Sequence, residues 1–158
     1  MMRKNERYQY LVKLIRKVTR ISGTVYKYQS TPRTYGTEEL LYMREAHFID
    51  VLGGGELDMG QIAEKLEVTG GAASQIASRL EKKGYIIRKK DASDSRHITC
   101  VMTEKAQKAL AFHREKDRDA YERFEEFMAE FTEEELKVCD RFLDNINRFY
   151  QMAADEKE

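Results

Sequence analysis

Apolar residues recur along most of this chain at helical spacing, and the breaks in that spacing mark its elements. In residues 3–29, Leu11, Leu14, Ile15, Val18, Ile21, Val25 and Tyr28 fall near one helical face with Lys and Arg mostly between them, which predicts a long amphipathic helix. Gly23 lies inside it and permits a bend. Residues 29–36, around the only proline, Pro32, read as a loop. Phe48, Ile49, Val51 and Leu52 then predict a helix over Leu41–Leu52, ended by Gly53-Gly54-Gly55. Glu56-Leu57-Asp58 suits a very short strand, and Asp58 suits the N-cap of a helix over Met59–Leu66, where Ile62, Ala63 and Leu66 share a face. Val68 plugs a tight turn. Thr69 caps a second helix that buries Ala73, Ile76, Ala77 and Leu80 and stops at Lys82-Lys83-Gly84, a cationic last turn followed by glycine.

Beyond Gly84 the period changes from helical to alternating. Tyr85–Arg88 and Ile98–Met102 are rich in β-branched residues and read as strands, joined by the polar run of residues 89–97. Two short helices around a tight turn followed by such a hairpin make a winged helix-turn-helix, whose second helix can enter a major groove. Asp94-Ser95-Arg96, the strand after it and Met102-Thr103-Glu104-Lys105 resemble the wing and helix start of MarR-type transcriptional regulators. The resemblance covers most of the chain. The expected fold class is therefore mainly α with a small β-wing (α+β), in one domain over residues 1–158. A winged helix-turn-helix lobe, residues 37–103, is flanked by long N- and C-terminal dimerisation helices, residues 1–36 and 104–153.

Thr103 starts a long helix, with Leu110, Tyr121, Phe124, Phe127 and Met128 among its apolar positions. Thr132-Glu133-Glu134-Glu135 is a capping box, with Phe131 and Leu136 placed as a hydrophobic staple, and the last helix runs to about Met152. The tail after it should fray. These long helices carry more apolar surface than one small lobe can cover. A homodimer is the expected solution, and a self-contained bundle the alternative. Dimerisation through the first and last helices is also what the resemblance implies, with two recognition helices on a palindromic operator.

Composition alone argues against nucleic acid, because 28 Lys and Arg balance 28 Asp and Glu. The distribution changes that picture. Residues 1–33 hold nine bases against Glu6 alone, residues 79–96 hold seven against three acids, and residues 104–158 hold ten against sixteen. Each run alone is equally a solvated face; with the fold pattern, double-stranded DNA is the expected partner. Thr69, Gly70 and Gly71 are small enough for close backbone approach, and Ser74, Gln75, Ser78 and Arg79 project opposite Ile76 and Leu80. Gln75 can bond an adenine edge, and the hydroxyls and Arg79 can hold phosphates or bases. Lys89 and Lys90 are placed for phosphates. The resemblance puts Arg96 in the minor groove, with Asp94 fixing its direction. Two departures stand out from the family pattern: arginine is frequent where Gln75 stands, and glycine is usual where Glu67 stands, so a positive φ is expected there.

His113 and Asp117, four apart on one helix, make a metal half-site, with His47 on a helix that family packing brings near. These positions resemble a zinc-responsive branch of the family, which has histidine where Asp117 stands and a further acidic ligand from the first helix without a clear counterpart here. Zinc or a small-molecule effector is thus the candidate ligand, and no cofactor is required. Tyr8, Phe48 and Tyr121 could line an effector pocket or simply belong to the core. Cys100 and Cys139 read as small buried hydrophobes, too few for a disulfide framework. No nucleophile elbow, phosphate loop or paired catalytic carboxylates appear, so an enzyme is not expected. With no apolar stretch of signal-peptide or membrane-spanning kind, a cytoplasmic protein is. The function expected is a homodimeric, sequence-specific and effector-responsive repressor. The alternatives are a zinc-responsive regulator of the same fold and a non-regulatory architectural module.

Overall fold

The computed structural model describes residues 3–90 and 98–156. In chain order these form α1 (Lys4–Ser30), β1 (Arg33–Thr34), β2 (Leu40–Leu41), α2 (Met43–Leu52), β3 (Leu57–Asp58), α3 (Met59–Lys65), α4 (Gly70–Lys82), β4 (Ile86–Lys90), β5 (Ile98–Met102), α5 (Glu104–Met128) and α6 (Glu133–Asp155). The fold is mainly helical with small antiparallel sheets, as the winged helix-turn-helix pattern predicts. It divides into two compact units, residues 24–119 and residues 1–23 with 120–158, and the division falls inside α1 and α5.

The unit of residues 24–119 is built on the three-stranded sheet β3-β5-β4, in which Cys100 of β5 pairs with Leu57 on one side and Arg88 on the other. Phe48, Ile49 and Leu52 of α2, Ile62 of α3, Ile76, Ala77 and Leu80 of α4, and Ala106 and Ala109 of α5 close one core with the inner face of the sheet. Tyr85 sits fully buried at its centre. Its hydroxyl meets Thr37 Oγ1 at 2.5 Å, and Lys105 Nζ lies 4.6 Å from the ring centroid. Burial of so large a polar-tipped ring needs such partners. The helix starts follow from local chemistry. Asp58 Oδ1 accepts from the Gln61 backbone N–H at 2.9 Å while Gln61 Oε1 accepts from Asp58 N–H at 3.0 Å, and Thr69 Oγ1 accepts from Ala72 N–H at 3.2 Å. Between α3 and α4, Glu67 has φ 53°, the left-handed conformation expected of that position.

Four boundaries differ from the sequence reading. The run read as a loop contains β1, which pairs Arg33 with Leu41 and Thr34 with Leu40. Leu41 is accordingly a buried strand residue, and α2 begins at Met43, with Tyr42 as its N-cap. The β4 ladder starts at Ile86 and continues through Lys89↔Thr99 and Lys90↔Ile98, because backbone pairing does not require the outward side chains to be apolar. Finally, α6 continues to Asp155.

In the second unit, α6 starts on the expected capping box: Thr132 Oγ1 accepts from Glu135 N–H at 3.3 Å, and Glu135 Oε2 accepts from Thr132 N–H at 2.9 Å. Neither α1 nor α6 fully buries a residue in the single chain. Leu11 and Ile15 of α1 face Phe142, Ile146, Phe149 and Tyr150 of α6 across an open apolar cavity of about 300 Å³. Cys139, expected as a small buried hydrophobe, is instead exposed, because the single chain offers α6 too little surface to cover its outer positions.

Candidate nucleic-acid interface

Burial of Ala73, Ile76, Ala77 and Leu80 fixes the rotation of α4 and turns its polar positions outward. Thr69, Gly70, Gly71, Ser74, Gln75, Ser78 and Arg79 are all exposed. A Cβ at Gly70 or Gly71 would meet nothing within 4 Å, so the chain's own packing does not demand bare backbone there. Ser78 Oγ donates back to the Ser74 carbonyl at 2.9 Å, which leaves its lone pairs toward solvent.

Arg79 is tied to a residue that sequence reasoning missed. Glu45 of α2 has no exposed surface, yet it accepts from Arg79 Nε at 3.1 Å, Lys83 Nζ at 2.7 Å and the Tyr42 backbone N–H at 3.0 Å. A buried carboxylate is tolerable only with partners of this kind. Lys83 also donates to the Leu40 carbonyl at 2.9 Å. The signal available in the sequence was weak: an acid three residues into a helix, and two cations four apart on another.

In the hairpin, Arg88 Nε donates to Glu81 at 2.8 Å, and this hydrogen bond holds the Glu81 carboxyl below its ordinary range. Lys89 is exposed and pairs with Glu56 at 3.3 Å. The side chain of Lys90, and all of Asp94 and Arg96, lie outside the described residues.

The metal candidates meet in pairs. The His47 and His113 rings are 5.4 Å apart between centroids and tilted by 36°, and His113 Nδ1 lies 3.4 Å from Asp117 Oδ1. Tyr35 packs edge-on against His113 at 5.6 Å, and its own hydroxyl donates to Met43 Sδ at 3.6 Å. Partial burial, then the neighbouring His113, hold the His47 imidazole below its ordinary value. The donor chemistry suits zinc, but the arrangement does not. Zinc needs donors converging at about 2.0–2.3 Å, and among the described residues no group of three or more His, Cys, Asp and Glu is placed to hold a metal ion.

Cys100 is buried, with Met59 Sδ 3.5 Å away, and burial pushes its thiol up to about 11. That is an inert packing residue. Among the aromatic pocket candidates, Phe48 is fully enclosed in the core, while Tyr8 and Tyr121 are exposed. An open cavity of about 490 Å³ lies elsewhere, lined by Tyr26, Gln29, Ser30, Tyr42, Arg44 and Arg79. Among the described residues no helix is long and apolar enough to cross a membrane.

Residues 42–97, which begin at the N-cap of α2, match the model of the MarR family. The HTH-type transcriptional regulator YhjH of Bacillus subtilis is 26% identical over 123 residues, covering 77% of this chain and 70% of that protein. The structure of ZitR from Lactococcus lactis, described as a zinc-responsive MarR family member, superposes with a TM-score of 0.71 at 19% identity, over 89% of this chain and 99% of that one. Wild-type ZitR in complex with DNA superposes with a TM-score of 0.69 at 20% identity, over 87% and 97%.

Proposed function

We propose, from the match of residues 42–97 to the MarR family model, that the protein is a homodimeric, sequence-specific DNA-binding regulator that represses transcription from palindromic operators in the cytoplasm. The observation that carries this reading is the outward face of α4, where Gly70, Gly71, Ser74, Gln75, Ser78 and Arg79 are exposed beside the hairpin while the opposite face is locked in the core. Such a helix can read base edges in a major groove, and Gln75 is the side chain whose amide can bond an adenine edge bidentately. Lys89, Lys90 and Arg96, with Asp94 as orienter, are the wing contacts this function calls for, to phosphates and the minor groove.

The dimer rests on apolar surface that a single chain leaves bare. Phe124, Phe127, Leu143, Phe149 and Met152 are exposed on α5 and α6, more than isolated surface residues account for. A second copy is the economical cover. The cavity lined by Tyr26, Tyr42, Arg44 and Arg79 is where a small-molecule effector would act, since its wall includes a recognition-helix side chain.

A zinc-responsive regulator is a second reading, supported by the pairing of His47 with His113 and of His113 with Asp117 and by the likeness to ZitR; zinc would have to draw these donors together, since they do not stand as a ligand set here. Calorimetric titration of the metal-free protein with zinc should give uptake that His47→Ala/His113→Ala loses; equal uptake by both removes this reading.

The test of the main reading is retention of sheared genomic DNA by the purified full chain near physiological salt, followed by sequencing. Enrichment of a few palindromic sites is the expected result. Uniform retention would leave only an architectural backbone binder.

A further inference from the structure

Glu45 is the one fully buried acid among the described residues, and its side-chain partners are Arg79 of α4, the helix that carries the outward polar face, and Lys83, the C-cap of that helix. Its two oxygens divide the work. Oε1 accepts from Arg79 Nε at 3.1 Å, while Oε2 accepts from Lys83 Nζ at 2.7 Å and from the Tyr42 N–H at 3.0 Å. The carboxylate thus caps its own helix and grips the neighbouring one at two points four residues apart. A backbone amide at a helix start is a rigid anchor, so the carboxylate plane has little freedom to rotate. Lys83 is fixed a second time by the Leu40 carbonyl, at 2.9 Å, and its ammonium lies 5.8 Å from the Tyr42 ring centroid. No side-chain nitrogen or oxygen that is buried among the described residues lacks a hydrogen-bond partner, so the cluster is satisfied as it stands.

Arg79 is the asymmetric member. Only its Nε is engaged by the carboxylate, and its side chain is 48% exposed, against 26% for Lys83. A guanidinium held through Nε keeps both terminal nitrogens, in one fixed plane, for a second acceptor. Its neighbours one turn back are Ser74 and Gln75, on the exposed face of the same helix.

We propose that Glu45 is a positioning residue for DNA recognition: it orients the Arg79 guanidinium so that its terminal nitrogens meet a backbone phosphate, and with Lys83 it sets the angle at which α4 is presented. The proposal deepens, and rests on, the DNA-binding reading. Glu45 itself touches no DNA. Its carboxylate trades no surface exposure for geometry, because an arginine already ordered before binding loses less rotamer freedom when the phosphate arrives.

The test uses the full chain and the DNA sites retained from sheared genomic DNA. Glu45→Gln keeps the size and one acceptor oxygen while removing the charge; Arg79→Ala removes the positioned group. Glu45→Gln should weaken site binding by about tenfold or more, the effect of losing a charge-assisted hydrogen bond. Arg79→Ala should weaken it similarly, and the double variant should be within about twofold of Arg79→Ala alone. A purely structural Glu45 would instead lower the melting temperature and give additive losses, which overturns the proposal. The second readout needs no DNA. The Arg79 Nε–H resonance should be protected from solvent exchange in the wild type and lost in Glu45→Gln. An unprotected wild-type resonance overturns the clamp, and so does a Glu45→Gln protein that loses the resonance yet binds its sites as tightly as wild type. A wild type with the protected resonance that retains no site overturns the DNA reading beneath it.

Discussion

At the scale of single residues, two positions work against their local environment. Glu67 adopts φ 53° in the turn between α3 and α4, where an L side chain crowds its own carbonyl. Relief of that strain by Glu67→Gly should raise stability by up to about 1 kcal/mol in urea unfolding, less what glycine adds to the freedom of the unfolded chain. His47 is the second. Partial burial, with His113 adding a like charge, lowers its folded-state pKa, so as pH falls the unfolded chain takes up this proton first. Its contribution is complete above the ordinary value of 6.5 and is lost as pH drops below that toward the folded-state value. The urea midpoint should therefore fall between about pH 7.5 and 5.5, and His47→Gln should flatten that slope. Carboxylates held low by partners, such as Glu81 beside Arg88, fail only in a more acidic window below their ordinary 4.5.

At the scale of elements, short-range chemistry decides where helices begin. Asp58, Thr69 and Thr132 each accept the backbone N–H of the third residue of the helix that follows, and each was evident from residue type and spacing. Thr132→Ala should lower unfolding free energy by about 1 kcal/mol with the wild-type denaturant slope kept, since α6 loses its cap and the hydroxyl's bond to the Glu135 carboxylate but no core contact. What spacing did not reveal is β1 with β2. Two-residue strands have no period of their own, and Leu40–Leu41 are strand only because Arg33–Thr34 lie opposite. The same limit displaced the start of α2, where Tyr42 is a cap through the reach of Glu45 and not through a side chain typical of caps.

At the scale of the whole molecule, α1, α5 and α6 carry apolar positions that the single chain leaves in water. Phe127 is 75% exposed and Tyr121 is 72% exposed. Phe149→Glu places a charge in the surface proposed to meet a second copy, and sedimentation should then show a monomer for the variant and, if the proposal holds, a dimer for the wild type. Operator affinity should fall with it, because two half-sites are bound together only when the two recognition helices are joined.

The sequence by itself determined the winged helix-turn-helix, the rotation of α4 and the polar face that α4 turns outward, because hydrophobic period and capping are local quantities readable over a few residues. The tertiary structure alone decided what becomes of individual side chains across elements. It brought Glu45 of α2 to Arg79 of α4 and to Lys83 at that helix's C-cap, set His47 beside His113, and left Cys139 exposed where a helical stripe suggested burial. A carboxylate in an amphipathic helix looks the same in sequence whether it faces water or two cations from another helix. Only the folded chain, by removing water from Glu45, gives those distant charges their hold on it.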